Sequence, residues 1–188
     1  MHFNTSFSFL AFSKSLMIIF VLLYGCVEPN AIKPSSETAI IVLGTIQDAG
    51  APHIACTKSC CTSLRKNNTS FPVTCLGLYD SSTQKKYMFE ATPNLPKQLK
   101  ELTAFGAQNN KELPDGIFLT HAHIGHYSGL MYLGKEAVNS NQIPVYVMPR
   151  MDSYLRNNGP WNQLVETKNI RLKQLGNRKK KPFLKPSR

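Results

Sequence analysis

Apolar positions along this chain follow two rhythms, and the switches between them lay out the elements. Ala39-Ile-Ile-Val-Leu43 is a short β-branched run closed by Gly44, which reads as a buried strand. Gly44 to Cys61 carries Gly44, Gly50, Pro52 and polar residues, and reads as a loop crossing the end of that strand. Val73 to Tyr79 and Lys86 to Glu90 form two further strands, joined by the polar turn Asp80-Ser-Ser-Thr-Gln84. The period then changes. From Asn94 to Phe105, Leu95, Leu99, Leu102 and Phe105 recur at helical spacing, and Pro96 suits a first turn. Asp115-Gly116 marks a turn and Ile117-Phe-Leu119 a short strand. A helix is predicted over Ser128 to Val138, burying Leu130, Met131, Leu133 and Ala137. Ile143 to Val147 is another strand and Met151 to Asn157 a short helix. Alternating strands and helices predict an α/β layered domain without internal repeats.

Composition narrows the class. The 188 residues suit one domain, and a hydrophobic fraction of 42% with 18% charged residues describes a globular chain. A net charge of +11 raises nucleic acid or anionic lipid as a partner. Its distribution argues otherwise: Lys168 to Arg188 holds nine Lys or Arg and no Asp or Glu, hence nine of the eleven excess charges. This basic tail, residues 173–188, carries no interleaved series of aromatics on which bases could stack, so nucleic acid is not an expected partner.

At the other end, Lys14 precedes the apolar run Leu16 to Leu23, which is short for a bilayer span and has the length of a signal-peptide core. Leu23-Tyr-Gly-Cys26 resembles a bacterial lipobox, with Cys26 as the lipidated residue; the alternative is an uncleaved N-terminal anchor. Either way residues 1–26 export the domain and tether it to the membrane, and residues 27–37 are the linker. Cys56, Cys60, Cys61 and Cys75 remain. Export permits disulfides, but adjacent Cys60 and Cys61 do not pair readily, and C-x3-C-C is not a standard zinc-knuckle spacing. A disulfide or structural metal site near Cys56 and Cys60, and free buried thiols, stand as alternatives.

The chemistry concentrates at His121, His123 and His126, between a predicted strand and a predicted helix. Two histidines one residue apart point the same way on extended backbone, so His121 and His123 can converge on one cation. His126 can reach the same place after a turn at Gly125. Imidazole suits Zn, Fe or Mn, and an open coordination position would let the metal acidify water.

Thr120-His-Ala-His-Ile-Gly-His126 resembles the H-x-H-x-D-H motif of the metallo-β-lactamase superfamily. Leu43-Gly-Thr-Ile-Gln-Asp-Ala-Gly50 with Pro52 and Cys56, Phe89-Glu-Ala-Thr-Pro93, and His123-Ile-Gly-His-Tyr-Ser-Gly-Leu-Met-Tyr-Leu-Gly134 extend the resemblance. They point to the branch containing pyrroloquinoline quinone biosynthesis protein B and its exported homologues, over about Ala39 to Ile170. The resemblance implies an αββα sandwich with one or two ions (Zn, or Fe or Mn) at the sheet edges. It matches His121 and His123 to ligands of a first metal and His126 to a ligand of a second. A small-molecule ester, amide or phosphodiester would be the substrate of metal-activated water, although the role proposed in the cofactor-biosynthesis branch is oxidative.

Two departures qualify what is expected. Gly125 stands where the superfamily has a ligating Asp. Asp48, in a loop expected near the metal face, is the candidate catalytic carboxylate, with loop capping as its plainer role; Glu90 could also serve, or only support its loop. Further downstream the superfamily uses another His and Asp and a second β-layer, whereas no His follows His126 and Asp152 is the last Asp. The expectation is therefore the N-terminal half of the sandwich, residues 38–172, with an unpartnered sheet face, low stability in isolation and impaired catalysis. A metal-dependent hydrolase and a non-catalytic exported lipoprotein that binds metal or a small ligand are the two functional expectations.

Overall fold

Period-two alternation decides how the first strand sits. In β1 (Ala39–Gly44) Ile41 and Leu43 are buried, while Ile40 and Val42 are 72% and 63% exposed. The structure, a computed structural model, describes residues 37–105 and 111–176. The expected signal segment, Cys26, the linker up to residue 36 and the tail beyond residue 176 lie outside them. Among the described residues no helix is long and apolar enough to cross a membrane.

β1 pairs antiparallel with β2 (Cys75–Asp80), which pairs antiparallel with β3 (Lys85–Phe89). β3, β4 (Gly116–Phe118), β5 (Ile143–Val147) and β6 (Ile170–Gln174) are mutually parallel neighbours, giving one sheet in the order β1-β2-β3-β4-β5-β6. Parallel neighbours need crossovers, and helices supply them. α2 (Leu95–Thr103) links β3 to β4, and α4 (Pro149–Asn157) with α5 (Trp161–Glu166) links β5 to β6. An earlier helix, α1 (Ser59–Lys66), lies in the long β1–β2 connection.

One face of the sheet carries the core. Ile41, Leu43, Met88, Ile117, Val145 and Leu172 pack with Leu99 and Leu102 of α2, Leu155 of α4 and Leu164 of α5. The opposite face carries an aromatic row, with Phe118 stacked between Phe89 and Tyr146 at centroid distances of 5.1 and 4.5 Å. Leu76, beside the exposed Ile40 and Val42, belongs to that second face. The two-layer arrangement agrees with the expected α/β class.

The β4–β5 connection departs from the predicted helix over Ser128 to Val138. It holds a single α-turn, α3 (Ile124–Tyr127), then a 3₁₀ segment, Ser128–Leu133. The cause is Gly129. Its N–H donates to Ala91 O at 2.8 Å rather than up a helix, and a β-carbon there would lie 2.0 Å from Thr92 O. Leu130 and Leu133 are buried as expected, but Met131 and Ala137 are exposed. α1, α5 and β6 escaped the sequence pattern for separate reasons: α1 buries only Cys61, α5 is only six residues long, and β6 has just two apolar positions, Ile170 and Leu172.

The β2–β3 turn is built on Asp80, which accepts hydrogen bonds from Ser82 N (3.0 Å), Ser82 Oγ (2.8 Å), Thr38 Oγ1 (3.4 Å) and Thr83 Oγ1. Burial alone would raise its pKa; the hydrogen bonds outweigh it and hold the carboxyl below its ordinary value.

Two stability measurements follow from this packing. Leu130→Ala should cost about 2–5 kcal/mol, and Ile40→Ala should stay within about 0.5 kcal/mol; urea midpoints of the two variants check the contrast. Because the folded-state pKa of Asp80 is depressed, its contribution is present above the unfolded value near about 3.9 and vanishes as pH falls through the folded value. Asp80→Asn should therefore be less stable than wild type at neutral pH, with the gap closing below about pH 4, as read by thermal melts across pH.

Candidate metal centre

β1, β3 and β4 run in the same direction, so their C-terminal ends share one edge of the sheet. Asp48 follows β1, Glu90 follows β3, and Thr120 to His126 follow β4. The Asp48 loop is laced to the segment before β2: Phe71 N donates to Ala51 O at 2.7 Å, and Thr74 N to Ile46 O at 2.8 Å. Glu90 leaves β3 with a φ of 81°, a conformation rare for a residue with a side chain. Its N–H is held by Phe118 O at 2.8 Å, and Ala91 N binds His126 O at 2.8 Å. These bonds set the Glu90 carboxylate against the histidine segment.

The structure brings all three histidines together. Ring centroids of His121 and His123 are 4.5 Å apart, those of His121 and His126 4.3 Å, and those of His123 and His126 6.4 Å. His121 and His123 are exposed, whereas the His126 side chain is only 13% exposed. His126 sits between two carboxylates: its Nε2 is 2.9 Å from Asp48 Oδ1 and its Nδ1 is 3.6 Å from Glu90 Oε2. Asp48 Oδ2 also lies 3.7 Å from His123 Nδ1. Thr120 joins the group, donating its N–H to Glu90 Oε2 at 3.4 Å while its hydroxyl contacts Glu90 Oε1 and, at 2.8 Å, His121 Nδ1.

These residues fit a cation. One donor atom from each of Glu90, His121 and His126 lies within 4.8 Å of the others, close to the about 4.2 Å that two bonds of about 2.1 Å to one ion can span. The buried Nδ1 of His126 has no hydrogen-bond partner, an expensive state for a buried polar atom unless something binds there. The sequence offered Glu90 only as an alternative and gave Thr120 no role. No residue pattern signals the backbone twist at Glu90 that turns its side chain toward His126.

Behind His126, Tyr127 packs on Trp161 and its hydroxyl meets that of Tyr154 at 3.1 Å. Burial, with the Tyr154 contact, pushes the Tyr127 phenol up to about 12, so it stays neutral beside the site. Asp152 is elsewhere, buried on α4 and bound to Arg156 Nε at 2.9 Å and Gln174 Nε2 at 3.2 Å.

A second donor cluster comprises Cys56, Cys60 and Cys61, whose sulfurs lie within 4.8 Å of one another as free thiols. Cys75 is separate and buried. Its thiol is pushed up to about 12 by burial and by the charges of Glu90 and Glu101.

No protein-family model and no curated protein sequence matches this chain. Solved structures do. Zn(2+)-bound PqqB from Methylobacterium extorquens superposes with a TM-score of 0.56 at 15% identity, over 73% of this chain and 49% of that one. A diphosphatase from the PhnP family superposes with a TM-score of 0.55 at 19% identity, over 78% of this chain and 53% of that one. The chain spans about half the length of each. At these identities the likeness speaks to the fold, and the fold of this chain is that of the metallo-β-lactamase proteins.

Proposed function

We propose that the chain belongs to a metal-dependent hydrolase acting on a small molecule. The observation that carries this reading is the convergence of donor atoms from Glu90, His121 and His126, beside a buried His126 Nδ1 that has no hydrogen-bond partner. His121, His123 and His126 would hold the metal, with Glu90 beside them. The donor chemistry suits zinc first, and Fe or Mn as well, as one or two ions. The similar PqqB structure is described as zinc-bound, and the similar PhnP-family protein as a diphosphatase. Those descriptions favour zinc and a phosphate ester or anhydride for this chain.

A bound divalent cation would supply Lewis acidity, lowering the pKa of water and offsetting negative charge that builds during hydrolysis. The chain's own groups do the rest. Thr120, bonded to both Glu90 and His121, fixes the His121 ring. Glu90, 7% exposed, supports the inner side of His126. Asp48, with its side chain 36% exposed, lies on the open side, where a carboxylate can orient water.

Export and membrane tethering are part of the same proposal, supported by the apolar run Leu16 to Leu23 and by Cys26. Radiolabelled fatty acid should enter the full-length chain in a bacterial host and be lost in Cys26→Ser; equal labelling of both would remove the lipoprotein reading.

For the catalytic reading, the full chain is purified, its Zn, Fe and Mn are counted, and bis(p-nitrophenyl) phosphate hydrolysis is assayed. One or two ions per chain are expected, with activity lost on chelation. His121→Ala should lose an ion and at least about 100-fold in rate. Metal content that is unchanged in His121→Ala contradicts the site. Metal held without any hydrolysis selects the exported metal-binding protein instead.

A further inference from the structure

Gly125 occupies the place in the histidine motif where a carboxylate is expected, and it has no side chain to offer. The structure shows what fills that space. A β-carbon built on Gly125 would stand 2.6 Å from both Asp48 Cα and Asp48 Cβ and 3.0 Å from Asp48 Cγ. Real β-carbons do not approach backbone and Cβ atoms so closely, so a side chain at residue 125 and Asp48 in its present position exclude one another. Gly125 is itself buried, so a side chain there would have to push the Asp48 loop aside.

The carboxylate that occupies the space also faces the right atoms. Asp48 Oδ1 lies 2.9 Å from His126 Nε2, and Oδ2 lies 3.7 Å from His123 Nδ1. The 2.9 Å contact is a direct hydrogen bond, and taken pair by pair, through one oxygen for each histidine, both separations are short enough for a cation to bridge at bonds of about 2.1 Å. The loop bearing Asp48 is fixed from outside the site by its pairing with residues 71–74, as the Ile46–Val73 and Ala51–Phe71 bridges show. The carboxylate is thus pre-positioned by backbone pairing from a segment 78 residues away in sequence from His126.

We propose that Asp48 is the displaced carboxylate of this centre, binding the cation together with His123 and His126 from the space that Gly125 leaves open. The inference rests on the metal-binding reading above and assigns its acidic ligand. It also explains the glycine: residue 125 is small because the carboxylate arrives from the β1 loop. Glu90, whose carboxylate is engaged by Thr120 on the inner side of His126, does not reach this position.

The test is a set of four full-length chains: wild type, Asp48→Asn, Gly125→Asp and the double exchange Asp48→Gly/Gly125→Asp. Zinc affinity is measured by competition with a chromophoric chelator, and circular dichroism reports the folded fraction. Cys56, Cys60 and Cys61 are common to all four, so a zinc ion they hold is constant across the set. Asp48→Asn preserves shape and should weaken the variable zinc site by at least 10-fold. Gly125→Asp should also weaken it, because its side chain displaces Asp48. The double exchange, with the carboxylate moved and the overlap removed, should bind more tightly than either single variant. Wild-type affinity in Asp48→Asn, or a double exchange no better than the singles, overturns the inference while leaving the metal reading intact. A wild-type chain with no histidine-dependent zinc overturns both.

Discussion

Two hydrogen bonds at one residue hold the candidate centre in being. Ala91 donates to His126 O and accepts from Gly129 N, each at 2.8 Å. That pairing clamps the segment after β4 onto the end of β3, and everything chemical depends on it. It places His126 beside Glu90, forces the chain into a 3₁₀ segment after Tyr127, and requires glycine at residue 129, where a β-carbon would strike Thr92 O. A continuation of α3 through residue 129 would have directed the Gly129 N–H to Gly125 O and left Ala91 O without its partner.

Charge follows the same logic. The chain as a whole is strongly basic, yet the centre gathers two carboxylates around one imidazole. That concentration of acid offers a divalent cation both charge and donors, and hard oxygen with imidazole nitrogen is a set that zinc, iron and manganese all accept. His126, flanked on both nitrogens, is the pivot of the arrangement.

Much of this was legible in sequence. The β-branched run at Ile40 to Leu43, the alternation at β2 and β3, and the leucine spacing of α2 were each readable because local periodicity matches the local element. The convergence of His121 and His123 follows from extended backbone and is visible in their 4.5 Å ring separation. Long-range contacts were not legible. Asp48 could be named as a candidate by its loop, but its fit against Gly125 depends on pairing with residues 71–74, which no local pattern encodes. Glu90 depends on a positive φ, and the segment after His126 on a tertiary hydrogen bond overriding helix propensity. β6 was missed because Arg171, Lys173 and Gln174 leave only Ile170 and Leu172 as apolar positions.

The four cysteines of the described domain divide into two kinds of sulfur. Cys75 begins β2 with its thiol 3.8 Å from Glu90 O, and a pKa near 12 leaves roughly one part in ten thousand ionised at pH 8. Buried and protonated, it packs as a small apolar residue. Cys56, Cys60 and Cys61 sit at the start of α1, within reach of one another. Reactive thiol chemistry among the described residues is thereby concentrated in the Cys56, Cys60 and Cys61 group, where three sulfurs within reach of one another can pair or share a soft cation.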